Sequence, residues 1–436
     1  MESSQEPSNA SPPAGADGAL PMQPVRRATV AFIFITVVLD VLALGVIIPV
    51  MPDLIKGFMG GDDARAAMII GVFGTMWALM QFFCAPIMGA LSDHFGRRPV
   101  ILASNFALGL DYIIMALAPN LAWLFVGRIG SGITGASYTA AAAYIADVTP
   151  PEKRAAGYGI IGAAWGLGFV LGPAMGGVLS QTDLRLPFWI SAALTLLNSC
   201  YGLFVLPESL PRERRSPFTL RRANPIGSLA LLRSHRGLLG MASIWALYWL
   251  AHFVFQTVFV LSAERRFEWT PLEVGLALAA AGICGIIVQA VVVKRFVARF
   301  GERIALTTGL VAAIIGYAMY GWAPNSALFL TAIPLFALAG LIMPSVQSLM
   351  TRRVPPTEQG RLQGANSCIT GIMGMIGPGL HTQVYAWFVT REGFWHIPGA
   401  PFVFSAALMV VALVVARSRA TEQAAPPATQ HDRSRA

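Results

Sequence analysis

The sequence predicts an all-α integral membrane fold, twelve transmembrane helices arranged as two six-helix repeats. Three observations carry this. The 436-residue chain is 55% hydrophobic and only 12% charged, with a mean hydropathy of +0.62, whereas a soluble domain carries about 25% charged residues. Its apolar residues gather into twelve long runs, near the roughly 20 residues with which a helix crosses hydrocarbon while satisfying its own backbone. The second half of the chain also repeats the first at a fixed offset.

The runs lie near 28–50, 66–91, 99–118, 121–146, 157–180, 186–206, 238–262, 270–293, 303–322, 327–350, 361–388 and 400–416, the last being short. An even number places both termini on one side. With the N-terminus inside, the inner segments hold 24 basic residues and the outer loops six (Lys56, Arg65, Arg185, Arg265, Arg266 and Arg391). Lys and Arg concentrate on the cytoplasmic side of membrane proteins, so both termini are predicted to be cytoplasmic. Residues 1–27 are rich in Ser, Pro, Ala and Gly without the apolar core of a signal peptide, and read as a disordered tail. Residues 417–436 read as a second tail. The longest connection, 207–237, carries seven Arg and separates a first bundle (28–206) from a second (238–416).

The repeat sets the register of the two bundles. Phe95-Gly96 matches Phe300-Gly301, Pro150-Pro151 matches Pro355-Pro356, and Gly172-Pro173 matches Gly377-Pro378, each 205 residues on; Gly159 and Gly364 keep the same step. Parallel six-helix repeats about an axis along the membrane normal form a transporter architecture, with cargo bound between them near midplane.

Several function classes drop out. The net charge of +9 lies between apolar runs and not on one basic face, so it reads as a topology signal and not as a nucleic-acid surface. Cys84, Cys200, Cys284 and Cys368 all fall inside runs, without metal or disulfide spacing. Gly130-Ser-Gly132-Ile-Thr-Gly135 spells a dinucleotide fingerprint, but that needs a strand before it. Within an apolar helix it makes a packing stripe. No zinc-protease, Walker or nucleophile-elbow motif stands in context. Neither a metal site nor a cofactor is expected.

Three features carry chemistry. The first is Gly89-Ala-Leu-Ser-Asp93-His-Phe-Gly96-Arg97-Arg98, between the second and third runs. Gly89 permits close approach, Gly96 the turn, and the arginines anchor the loop inside. Asp93 is expected to dock on a helix N-terminus, where the helix dipole favours an acid. The second is Gly168-x-x-x-Gly172-Pro173-x-x-Gly176-Gly177 on the fifth run, whose glycines allow backbone-to-backbone packing and whose proline can bend the helix. Its natural partner is the eighth run, through Ala277, Ala281 and Gly285. The third is a set of intramembrane charges, Asp40, Asp111 and Arg128. Such charges are costly and functional by default. Asp40 lies about 18 Å along its helix, near midplane. Asp111 and Arg128 share a depth and read either as a structural ion pair or as part of a coupling site.

The first feature resembles the signature loop of the major facilitator superfamily, and the second the antiporter motif of its drug/proton exchangers. Leu39-Asp40…Gly45…Pro49-Val-Met-Pro52, Ala78-Leu-Met-Gln81, Leu110-Asp111-Tyr112 and Gly127-Arg128 through Gly135 look like helices one to four of bacterial tetracycline/proton antiporters. The resemblance covers nearly the whole chain and is strongest through residue 210. It implies a major facilitator fold and proton-coupled efflux of small amphipathic drugs across a bacterial inner membrane. Asp40, Gln81, Asp111 and Arg128 would take coupling and cargo positions, and the cargo would arrive in some cases as a metal chelate. The second half departs from the family, reading Gly285 and Ala313 where better-known pumps carry His and Asp, with no deep acid. His252 is a polar candidate there, more often structural than functional. A nutrient facilitator of the same fold is the main rival, and a membrane-embedded lipid enzyme a remote one. Oligomeric state is not set by the sequence.

Overall fold

The structure, a computed structural model, describes residues 27–135, 138–148, 154–216, 229–234, 237–355, 358–390 and 397–424. The predicted tails, apart from their ends at Arg27 and 417–424, lie outside those residues. So do Pro150-Pro151, Pro356 and residues 217–228 and 235–236 of the basic linker.

All described regular structure is helical. The first set is α1 (Arg27–Ile47), α2 (Met51–Phe58), α3 (Asp63–Phe95), α4 (Arg97–Leu117), α5 (Leu121–Gly135), α6 (Tyr138–Val148), α7 (Arg154–Leu179) and α8 (Leu186–Val205). The second is α9 (Leu231–Ser234), α10 (Leu238–His252), α11 (Val254–Thr257), α12 (Phe259–Phe267), α13 (Pro271–Ile287), α14 (Val293–Trp322), α15 (Ser326–Ala337), α16 (Ile342–Thr351), α17 (Gln359–Val389) and α18 (Ala400–Ala424). Helix occupies every predicted run. Among the described residues, eight stretches are long and apolar enough to cross a membrane, one of them, Pro271–Trp322, being 52 residues long and covering two runs.

Boundaries moved for identifiable reasons. The outer loop predicted around 53–65 contains α2, which starts with Pro52 near its N-terminus, a position where proline's missing N–H costs nothing. Asp62 then caps α3, accepting from the Ala64 and Arg65 amides at 3.0 Å. The predicted 238–262 run is divided into α10, α11 and α12 at Phe253 and Val258. The last helix runs on to Ala424, eight residues into the predicted tail, because Ala, Arg, Glu and Gln there are strong helix formers.

The repeat reappears in the backbone. Gly96 and Gly301, 205 residues apart, have φ of 107° and 79° with ψ of 160° and 166°, a conformation that glycine adopts without strain. Pro173 and Pro378 both lie inside helices. Between the two sets of helices, α3 packs on α17 and α7 on α13. Gly71 and Gly74 of α3 abut Thr382 and Pro378, while Gly177 of α7 abuts Pro271 and Leu272. The space left between those two seams holds the site.

Candidate functional site

A cavity of about 850 Å³ opens between the two sets of helices. From the first come Trp77, Gln81, Arg128 and Phe169; from the second, Trp245, Trp249, Gln256, Asn366 and Thr370. It runs from Gly89 and Gln363 at one end to Ile55 and Val260 at the other. Its size and its apolar wall with a few placed polar groups suit a drug-sized ligand. The polar groups are fixed: Trp245 Nε1 donates to Thr370 Oγ1 at 3.0 Å, and Asn366 Nδ2 to Gln347 Oε1 at 3.1 Å. Arg128 is the charged residue of the lining, its guanidinium 5.7 Å from the Trp77 ring centroid, close enough for cation–π attraction.

Of the predicted site residues, Gln81 and Arg128 face this cavity, and Asp40, Asp111 and His252 are not in its lining. Asp111 sits in a notch on α5, its Oδ1 2.6 Å from where a Gly130 side chain would begin and 3.4 Å from where one on Gly127 would. Among the described residues no ion pair within 4.0 Å joins Asp111 to Arg128, so of the two alternatives the structural ion pair is not formed in this conformation. Buried Tyr112 lies within electrostatic reach of Asp111, Asp40 and Arg128 and draws the four into one neighbourhood. Among the described residues, Asp40 Oδ1 and Asp111 Oδ2 are buried without hydrogen-bond partners. Unpaired buried carboxyl oxygens are costly and suit groups whose proton comes and goes.

His252 occupies an aromatic cage, stacked on Tyr248 at 5.5 Å and on Phe336 at 6.4 Å, with the Trp249 ring edge-on. His381, which the sequence reading passed over, is a satisfied core histidine. It bonds the Gly377 carbonyl at 2.9 Å and the Ser405 hydroxyl at 3.1 Å. Among the described residues no group of three or more His, Cys, Asp or Glu is placed to hold a metal ion.

The loop at Gly89–Arg98 is organised around Arg97, which is buried. Its guanidinium donates to Asp93 Oδ1 at 2.5 Å, Ser92 Oγ at 2.7 Å and Asp147 Oδ2 at 3.0 Å. The acid on the helix N-terminus is not Asp93. Glu208 takes that place, accepting the Arg97 amide at 2.9 Å and the Ser209 and Leu210 amides at 3.0 and 3.1 Å. Glu208 reaches it because Gly96 has no side chain: a methyl there would fall 2.8 Å from the Glu208 carboxyl carbon. Arg98 donates instead to the Leu203 carbonyl at 2.6 Å. In the second half the equivalent loop carries the opposite polarity. Glu302, 205 residues after Arg97, pairs with Arg352, 205 residues after Asp147.

The glycine motif on α7 divides its neighbours differently from expectation. Gly168 meets Val41, Gly172 meets Gly45 and Gly176 meets Val46, so three of its members pack on α1. A methyl on Gly172 would stand 2.7 Å from the Gly45 Cα. Only Pro173 and Gly177 face α13, through Gly275 and Pro271. Gly285 is not part of the seam, since an added methyl there would meet nothing within 4 Å, whereas one on Gly282 would meet Val170 of α7.

At the far end of the cavity, beyond Ile55 and Val260, Lys56 of α2 forms an ion pair with Glu264 of α12. Lys56 also contacts Asp63 at 3.3 Å, and Arg265 contacts Asp63 at 3.2 Å. Among the described residues, the ion pairs that join the two sets of helices all sit at this end.

Comparison with known proteins agrees with this architecture. The family description Major Facilitator Superfamily matches residues 33–378 and 244–435. The chain is 38% identical over 392 residues to the class C tetracycline resistance protein of Escherichia coli, covering 89% of this chain and 96% of that one. It is 33% identical to the class G tetracycline resistance protein of Vibrio anguillarum over 394 residues, covering 90% and 98%. In structure it resembles the human organic anion transporter MFSD10 (TETRAN), with a TM-score of 0.67 at 23% identity over 90% of this chain and 100% of that one.

Proposed function

The chain belongs to the major facilitator superfamily, and on that premise we propose that it is a proton-coupled exporter of small amphipathic drugs, tetracycline-type compounds first among them. The observation that carries the proposal is the cavity. It spans both sets of helices, it is walled by tryptophans from each, and Asp111 and Tyr112 act electrostatically on its cation, Arg128, with Asp40 in turn within reach of Tyr112. The relatives named for tetracycline resistance support the cargo class.

The chain is a multi-pass membrane transporter and not an enzyme. In our reading the bundles 28–206 and 238–416 rock against each other in a bacterial inner membrane, with both termini cytoplasmic. The Gly96/Gly301 end then faces the cytoplasm and the Lys56–Glu264 end faces outside, so this conformation is closed outward. Trp77, Trp245 and Trp249 stack the planar body of the cargo, and Arg128 and Gln81 hold its oxygen-rich edge. The lining offers no carboxylate to a cationic metal chelate, so other amphipathic drugs with an anionic or neutral oxygen edge should be accepted too. Protonation of Asp40 drives the empty return step, since burial and an alternating cation shift a carboxyl's hold on its proton in opposite senses.

The test is direct. In inverted vesicles energised to acid inside, the protein should accumulate tetracycline and release it when the gradient is collapsed. Gradient-independent equilibration, or uptake in right-side-out vesicles only, would make it a facilitator or importer of the same fold.

A further inference from the structure

The Lys56–Glu264 end holds more acid than its cations neutralise. Asp53, Lys56 and Asp63 come from the first set of helices, and Glu264, Arg265 and Arg266 from the second. Arg266 is spent on backbone, donating to the Tyr320 and Ala323 carbonyls at 2.6 Å each. Tyr385 of α17 also faces the cluster, its hydroxyl donating to the Leu261 carbonyl at 3.2 Å. That leaves three carboxyls against Lys56 and Arg265. Asp63 touches both cations. Glu264 has only Lys56, through Oε2, while its Oε1 is buried with no donor among the described residues. The acid that bears on it from the other half is Asp53 of α2, whose charge acts on Glu264 and which also draws on Lys56. Two ionised carboxylates repel, and a shared proton turns the repulsion into a hydrogen bond.

We propose that Asp53 and Glu264, one from each half, are a proton-binding site completed when the outer gate closes. One proton from the outer medium bridges the two carboxyls, and Lys56 balances the charge that remains. Nothing else is transferred: a carboxylate gains the proton on closing and returns it to water on opening. The outer location rests on the orientation proposed above; the site itself does not depend on the cargo.

The sign follows from linkage. In the closed gate burial, and then the charge of Asp53, push the Glu264 carboxyl up to about 7 against the opposing pull of Lys56. Exposed by opening, it returns toward the ordinary glutamate value of about 4.3. The closed state therefore binds the proton more tightly, and acid favours closure. Opening should become easier as pH rises between those two values and level off above about 7. Acid outside thus biases the gate toward the cargo-accepting conformation, while the net proton work of the cycle stays with Asp40 in the function proposed above.

Spin labels on Gly57→Cys and Thr390→Cys, both exposed, would report the gap in full-length protein freed of its native cysteines, in lipid nanodiscs from pH 5 to 8. The open fraction should rise by up to roughly tenfold per pH unit inside the window. Glu264→Gln and Asp53→Asn, which mimic the protonated form, should stay closed and flat with pH. Lys56→Met should open the gate, since it leaves acids buried without a cation. Glu264→Gln tracking the wild type, or standing open at every pH, would overturn the proposal, the second outcome showing that charge alone holds the gate. A pH response lost in Asp40→Asn and kept in Glu264→Gln would overturn it as well. In sealed right-side-out vesicles, a membrane-impermeant reductant applied outside should quench the label on Gly57→Cys. If it does not, the orientation fails while the gate result stands, and neither readout uses a drug.

Discussion

The two halves share a backbone and differ in what they hang on it. Gly96 and Gly301 make the same positive-φ turn, and Pro173 and Pro378 interrupt equivalent helices. Around those fixed points the chemistry has separated. The first half gathers half-buried Asp40 and Arg128 and buried Asp111 around Tyr112. The second packs rings: Phe255 touches Tyr317, Tyr320, Phe336 and Phe402 with centroids 4.9–6.0 Å apart. Even the loop ion pair is reversed, Arg97 with Asp147 on one side and Glu302 with Arg352 on the other. Duplication keeps the parts that bend, while divergence leaves the acids and the cation beside the cavity in one bundle and the ring cluster in the other.

The strongest way to break this comparison is Asp40→Asn. If titration belongs to the first half, proton-driven drug accumulation in inverted vesicles should fall to background, while drug exchange without net proton movement persists. Full coupling in that variant would move the proton path elsewhere.

A smaller effect should separate the two loops. Arg97 is nearly enclosed and joins three groups, so Arg97→Gln removes several charged hydrogen bonds at once, each contributing about 1.5–3 kcal/mol. Arg352 in the mirror position is 68% exposed, and exposed pairs contribute about 0–1 kcal/mol. Thermal unfolding in detergent should show a large loss for Arg97→Gln and little for Arg352→Gln. Equal losses would mean that the two loops are not specialised.

The smallest effect is expected at His252. Among stacked rings, with Nδ1 buried and without a partner among the described residues, it reads as a packing residue, and His252→Phe conserves most of its shape. Such a swap should cost under about 1.5 kcal/mol of stability and leave the proton-to-drug ratio unchanged. A changed ratio would return the second half to a share of the coupling.

How much of this was legible beforehand follows the range of the interactions. Spans were readable because each must be apolar over its own length, and the bend points because glycine and proline act locally. The cavity's Gln81 and Arg128 stood out as polar groups inside apolar runs, but Trp77, Trp245 and Trp249 did not, since aromatic residues are ordinary in such helices. Glu208 looked like any acid in a polar connection, and its docking on Arg97 shows only once the chain folds back over 111 residues. Lys56 and Glu264 lie 208 residues apart in what read as outer loops, with no local pattern to join them. The motif on α7 was recognisable by spacing, yet its main partner was α1, because a glycine stripe does not say which smooth surface it will meet.

The Gly45–Gly172 contact sets a boundary on how this protein can adapt. Two backbones touch there with no side chain between them, and a methyl on either glycine would arrive at about 3 Å or less from the other's backbone. A seam built of main chain cannot be retuned in small increments: it stays glycine or the helices are forced apart. Cavity walls have no such restriction, since tryptophan, glutamine and asparagine can each be exchanged for something slightly different. Selection by new antibiotics would therefore rewrite the lining and leave the joint unchanged, and an inhibitor aimed at the joint would leave the cell few single-residue routes of escape.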